Sequence, residues 1–198
     1  MLFSAAAGDE RAPKDMTLEE VKTLRVEGKE PVATLEEMLD ASKGRIKLFV
    51  ELKGETADTQ MADDAVRIIK EHGMEEEAIL ISLKYDLMNY IESNYPEMQT
   101  GYLCFATFGE TAALNCDFLG IEEESAIDAV LEDIKQAGKK TLVWTVNNWE
   151  DQHSFLQKNA YAIITDEVSM AHDLTEQLEQ RSEIQRIVDR IMLMFAAR

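Results

Sequence analysis

The chain has 198 residues, is 45% apolar and 30% charged, and carries a formal net charge of −19. Such a length fits one domain, and such a composition a packed globular chain rather than a disordered one. An acidic surface of this size repels phosphate backbones and anionic headgroups, so no nucleic-acid partner is expected, and no apolar run approaches the roughly 20 residues that span a bilayer.

Residues 1–16 hold Gly8, Pro13 and scattered charges without periodicity, and they read as a loose lead-in. The opening Met1 to Ala7 is too short and lacks the basic flank of a secretory leader, so a cytoplasmic location is expected. Cys104 and Cys116 form no C-x-x-C pair and fit a reducing compartment, with Cys104 as a small core residue. Thr17-Leu18-Glu19-Glu20 and Thr34-Leu35-Glu36-Glu37 are capping boxes, each opening a helix, the second of which ends near Gly44. Residues 46–52 alternate strictly and predict a strand.

A regular alternation follows. Helices are expected at about 58–72, 85–94, 125–137 and 149–158, with a long one from Val168. Short apolar strands are expected at 78–82, 100–105, 117–121, 141–146 and 161–165. Between 105 and 116 a helix is missing or very short. With the strand at 46–52 this makes six strands, each followed by a helix or a turn, the pattern of parallel β-α-β units covered on both faces.

No G-x-G-x-x-G, Walker loop, H-E-x-x-H or G-x-S-x-G occurs. Chemistry is therefore sought at the carboxyl ends of the strands, where parallel β/α folds build their sites. By the two-residue period, Ile46, Leu48, Val50 and Leu52 share the face toward the helices, while Phe49, Glu51 and Lys53 share the other. Glu51 and Lys53 then stand together at a strand end. This pair suits an anionic substrate held with a divalent cation, with Glu51 as oxygen ligand and Lys53 on a phosphate oxygen; a plain ion pair is the alternative. Glu122, in the run Glu122-Glu123-Glu124 after a strand, either reaches the same edge or belongs to a solvated acidic turn. His72 precedes Gly73 at a helix end, and His153 and His172 fall inside helices, so all three read as surface or packing residues.

Glu51-Leu52-Lys53, together with residues 15–22, Thr34-Leu35-Glu36-Glu37, Asp117 to Glu122, Val143-Trp144-Thr145-Val146-Asn147 and Ile163-Ile164-Thr165-Asp166, resembles the glycerophosphodiester phosphodiesterases, most closely bacterial members that follow an integral-membrane region. The resemblance covers about residues 15–172, in order and at family spacing. It implies a (β/α)₈ barrel that hydrolyses glycerophosphodiesters to glycerol 3-phosphate and an alcohol with a divalent metal, calcium or magnesium. It implies Glu51 as a metal ligand, Lys53 on the phosphate side, and Trp144 and Asn147 near the pocket. Ser82 matches a family serine, although Leu83 stands where the family has an aromatic residue.

The family's first strand ends in His-Arg-Gly, further acidic ligands follow, and a His-Asp pair supplies the second catalytic histidine. Residue 15 already aligns beyond these, so no catalytic residue is assigned. The expected fold is an α/β, incomplete TIM-type barrel retaining about six β/α units over residues 17–172, with a C-terminal helical extension over 173–198. The expected activity of the 198 residues alone is none, and a non-catalytic assembly domain on the same fold is the alternative. Two open strand edges, around 46–52 and 161–165, point to a homodimer or a completing chain, and a longer parent protein would allow membrane association. Leu174, Leu178, Ile184, Ile187, Val188 and Ile191, then Met192 to Phe195, add an apolar stripe for the barrel or another subunit, interspersed with Arg181, Arg186, Arg190 and Arg198.

Overall fold

The computed structural model describes residues 7–106, 111–158, 160–180, 187–188 and 191–192. Of the apolar tail, Ile184 and Leu193 to Phe195 lie outside the described residues, as do the four tail arginines. The chain divides into two compact units, Met1–Thr100 and Gly101–Arg198.

In the first unit both capping boxes form. Thr17 and Thr34 accept the amides of Glu20 and Glu37, whose carboxylates return to the Thr17 and Thr34 amides, opening α1 (Leu18–Thr23) and α2 (Leu35–Ser42). Between these helices lies an antiparallel hairpin of β1 (Arg25–Val26) and β2 (Glu30–Pro31), which the sequence pattern does not announce. Its turn puts Glu27 and Gly28 at φ of 50° and 72°, and two-residue strands are too short to show a period.

Strand β3 (Leu48–Glu51) starts two residues later than the alternation suggests. The amides of Arg45 and Ile46 still bond to the Ser42 carbonyl, so the chain is turning out of α2, and Ile46 is left exposed. Helix α3 (Thr59–Glu71), capped by Asp58, leads to β4 (Ala78–Ser82), which is buried throughout and pairs parallel to β3 from Leu48↔Ala78 to Glu51↔Ile81. Helix α4 (Tyr85–Asn94) closes the unit, and one oxygen of Asp63 accepts both Tyr90 and Tyr95 hydroxyls, at 2.9 and 2.7 Å, tying α3 to α4.

The second unit continues the alternation with β5 (Gln99–Cys104), which begins at the boundary, then β6 (Phe118–Glu122), α5 (Asp128–Gln136), β7 (Lys140–Trp144), α6 (Trp149–Gln157), β8 (Ala162–Ile163) and α7 (Val168–Gln180). Between β5 and β6 the described residues hold only a 3-10 turn, Thr111–Ala113, and no α-helix. The helix expected from residue 125 begins at Asp128, after a 3-10 turn at Glu123–Ser125 and the buried Ala126. Leu119, Ile121, Leu131, Ile134, Val143 and Val146 form its core, together with Cys104 and Cys116, both buried thiols. Burial pushes the Cys104 thiol up to about 11, which keeps it protonated.

Helices α3 and α5 end alike. Gly73 and Gly138 take φ of 60° and 75°, and the following amides reach back to the Ile69 and Ile134 carbonyls, the Schellman closure that glycine permits. Strand order follows chain order, β3-β4-β5-β6-β7-β8, and the observed pairings are parallel. The fold is thus α/β, an incomplete TIM-type barrel of about six β/α units.

Candidate active site

Strand β3 delivers the first pair of candidates. Val50 and Leu52 turn toward α3, so the intervening Glu51 and the following Lys53 emerge on the other face, beside the exposed Phe49. Lys53 Nζ lies 3.4 Å from Glu51 Oε2, and their side chains are 49% and 31% exposed. That exposure leaves both charges open to a further partner and makes the pair itself a weak contributor to stability. Gly54, at φ 91°, turns the chain away immediately after them.

The end of β3 is held from β4. Buried Ser82 donates its hydroxyl to the Leu52 carbonyl at 2.7 Å and accepts the Lys84 amide at 3.1 Å. Lys84 Nζ then donates to the Ala57 carbonyl at 2.6 Å, pinning the loop behind Lys53. Ser82 therefore acts as a strut for this edge, and Lys84, which no motif points to, is its companion. Leu83, at the family's aromatic position, is exposed.

In the second unit Trp144 ends β7, paired in register with Glu122. It is half-buried, and Phe105 meets it edge-on with ring centroids 5.2 Å apart. Its indole Nε1 is buried with no acceptor among the described residues, a cost of about 1–3 kcal/mol unless water or a ligand supplies one. Phe105, which the sequence reading passes over, is largely exposed.

Asn147 is engaged on both sides of its carboxamide. Its Oδ1 accepts the Asp166 amide at 2.9 Å and the Thr165 hydroxyl at 3.1 Å, and its Nδ2 donates to Asp166 Oδ2 at 2.9 Å. Below it, fully buried Gln152 donates to the Val146 carbonyl at 3.0 Å and to Thr165 Oγ1 at 2.8 Å. Gln152 and Thr165 thus hold the loops after β7 and β8 together. Nothing in the spacing marks a helical glutamine for this task.

Glu122 caps the turn that follows it, accepting the Glu124 amide at 3.1 Å. Its neighbour Glu123 has its carboxyl pushed above the usual range, first by burial and then by the hydrogen bond and charge of Asp151. The three histidines all have local partners. His72 caps α3, with Nδ1 donating to the Ile68 carbonyl at 2.8 Å and Nε2 3.5 Å from Asp40. His153 stacks on Trp149 at 4.9 Å, and His172 lies 3.8 Å from Asp173. Among the described residues, no group of three or more His, Cys, Asp or Glu is placed to hold a metal ion. None of the described helices is long and apolar enough to cross a membrane.

The sequence model described as the glycerophosphoryl diester phosphodiesterase family matches residues 4–170. A glycerophosphodiester phosphodiesterase of Caldanaerobacter subterraneus subsp. tengcongensis is 26% identical over 167 residues, which cover 78% of this chain and 69% of the relative. In three dimensions, a putative glycerophosphoryl diester phosphodiesterase from Agrobacterium tumefaciens is similar with a TM-score of 0.79 at 18% identity, over 91% of this chain and 79% of that one. An Oleispira antarctica phosphodiesterase, solved with the product sn-glycerol-3-phosphate, is similar with a TM-score of 0.78 at 21% identity, over 87% and 76%.

Proposed function

The chain belongs to the glycerophosphoryl diester phosphodiesterase family, and from that premise we propose that it is the phosphate-binding part of a glycerophosphodiester hydrolase, inactive when residues 1–198 stand alone. In this reading Lys53 meets a phosphate oxygen and Glu51 gives one carboxylate to the divalent metal on which the family generally depends. In the second unit, taken by itself, Trp144 has an indole N–H free of acceptors among the described residues and so open to a ligand oxygen, and Asn147 shapes the loop beside it. The observation that carries the proposal is the exposed Glu51–Lys53 pair, an oxygen ligand and a cation side by side at the carboxyl end of a barrel strand.

Hydrolysis forms a P–O bond from water and breaks the P–O bond to the leaving alcohol. The water must lose a proton and the departing alkoxide must gain one. Each positioned group for such a transfer is typically worth 10²–10⁴-fold. Every histidine of this sequence is committed to a helix, and among the described strand ends the carboxyl raised above the usual range, that of Glu123 in the turn after β6, is engaged with Asp151. A calcium or magnesium ion takes about six or more oxygens. Glu51 supplies one carboxylate, so the described residues do not make a complete cation site.

The purified chain is assayed with a glycerophosphodiester and calcium or magnesium, with calorimetric binding of glycerol 3-phosphate as a second readout. We expect no release of glycerol 3-phosphate above background, and weak binding that Lys53→Ala abolishes. Metal-dependent turnover of even about one per second, lost in Glu51→Ala, would overturn the inactivity. A non-catalytic assembly role on the same fold is favoured by one observation, the exposed Ile187, Val188, Ile191 and Met192.

A further inference from the structure

A groove of about 450 Å³ opens between β3, the start of α2 and α3. Its walls are Leu35, Val50, Leu52, Met61, Ala65 and Ile68, and its rim carries Asp58 and Asp64. Asp58 caps α3 through the Met61 amide, and Asp64 also meets Arg67 at 3.3 Å. It lies on the helix side of β3, away from the face that carries Glu51 and Lys53, so it is distinct from the candidate site.

The chain also carries a segment suited to such a groove. Ile187, Val188, Ile191 and Met192 are helical and 45–65% exposed, four large apolar side chains on a short stretch of surface. With Ile184 they fall at i, i+3, i+4, i+7 and i+8, the spacing by which an amphipathic helix anchors in an apolar groove. The charge of this stretch opposes that of the rest. Residues 181–198 hold four arginines against Glu183 and Asp189, a net of +2 on a chain whose total is −19. The tail also lies beyond residues 4–170, so it is an addition to the family domain.

We propose that the tail helix of one copy seats in the β3–α3 groove of a second copy, with Ile187, Val188 and Ile191 as anchors and tail arginines toward Asp58 and Asp64. A second copy is the occupant because each body is strongly acidic while the tail is basic, so the attraction is built into self-association. Reciprocal exchange fills both grooves and closes a two-fold dimer. An anionic membrane would attract the same tail but repel the rest of the chain.

The test uses the full chain and Ile187→Asp/Ile191→Asp, both positions being exposed so that folding is undisturbed, as circular dichroism verifies. Light scattering at tens of micromolar should give a dimer for the native chain and a monomer for the variant, with affinity weakened about tenfold or more per residue. Mixing one tagged copy bearing Ile68→Cys with another bearing Ile187→Cys should give a disulfide between the two tags. A monomeric native chain, a dimer that survives the variant, or a disulfide that forms only when both cysteines sit on one copy would overturn the proposal. Sedimentation of a monomeric native chain with phosphatidylserine vesicles, lost in the variant, would replace the dimer with a membrane contact.

Discussion

Asn147 grips Asp166 twice, donating from Nδ2 to its carboxylate and accepting its backbone amide at Oδ1, both at 2.9 Å. With the Thr165 hydroxyl as a third partner, the carboxamide that the family motif places near the pocket spends most of its bonding on joining two loops. Its role is then to set the position of the Trp144 loop. Asn147→Ala should cost about 1–2 kcal/mol, the net worth of the lost hydrogen bonds. Asn147→Asp should be worse at neutral pH, because a second carboxylate then faces Asp166, and should recover on acidification. Urea midpoints at neutral and acid pH measure both. An unchanged midpoint in Asn147→Ala would release this residue from the structural role.

For Glu51 the expectation is the opposite. Its partner Lys53 is 49% exposed and 3.4 Å away, so solvent already screens the pair. Glu51→Gln should leave stability within about 0.5 kcal/mol, as for a surface change. A loss of about 3–5 kcal/mol would mean a buried ion pair with a structural role, and no anion site at β3.

Glu123 offers a pH-dependent case. Its carboxyl is raised by burial and by Asp151, so the folded state prefers it protonated. The stability it contributes is present below the ordinary carboxylate range and is lost as pH rises through its folded value. At neutral pH the charge on Glu123 therefore opposes folding. Glu123→Gln should raise the urea midpoint at neutral pH, and the gain should vanish at low pH. Equal midpoints at neutral pH would show that Glu123 reaches solvent in the folded chain.

At the alkaline end the relevant group is Tyr95, pushed up to about 12 chiefly by its hydrogen bond to Asp63, with Tyr90 raised by the same carboxylate. Between an ordinary tyrosine value of about 10 and this folded value, unfolding releases a proton, so stability falls as pH rises through that window. Tyr95→Phe should flatten the fall. Melts at pH values on either side of the window, with ultraviolet titration of tyrosinate, check it.

Much of the fold is legible from punctuation. Helix α4 reads to the residue because its apolar positions run into Pro96, and α3 to within one residue at each end because Gly73 closes it. Strand β4 is apolar at four successive positions and admits one reading. What escapes notice is either too short for a period, as in the β1–β2 hairpin, or joins residues far apart in the chain. Asn147 and Asp166 are 19 residues apart, and Ser82 is 30 from the Leu52 carbonyl it holds. At the site, alternation places Glu51 and Lys53 together. By contrast, the Phe105 contact with Trp144 and the Gln152 bridge arise from packing that no local pattern encodes.

Gly120 stands in the middle of β6. It pairs with Leu103 of β5, and a Cβ added there would stand 2.4 Å from Leu103 Cδ2 and 3.4 Å from Trp144 Cδ1. Backbone strain is not the reason for glycine here; the two neighbours occupy the space a side chain would need. Leu103 is 6% exposed and has little room to withdraw, so Gly120→Ala should cost roughly 1–3 kcal/mol, as overpacking does. It should also displace the Trp144 indole. With Trp149→Phe as background, Trp144 is the only emitter left of the two tryptophans, and a shifted emission maximum reports the movement. A midpoint and an emission spectrum both unchanged by Gly120→Ala would mean that Leu103 finds another rotamer and that Gly120 does not shape the Trp144 pocket.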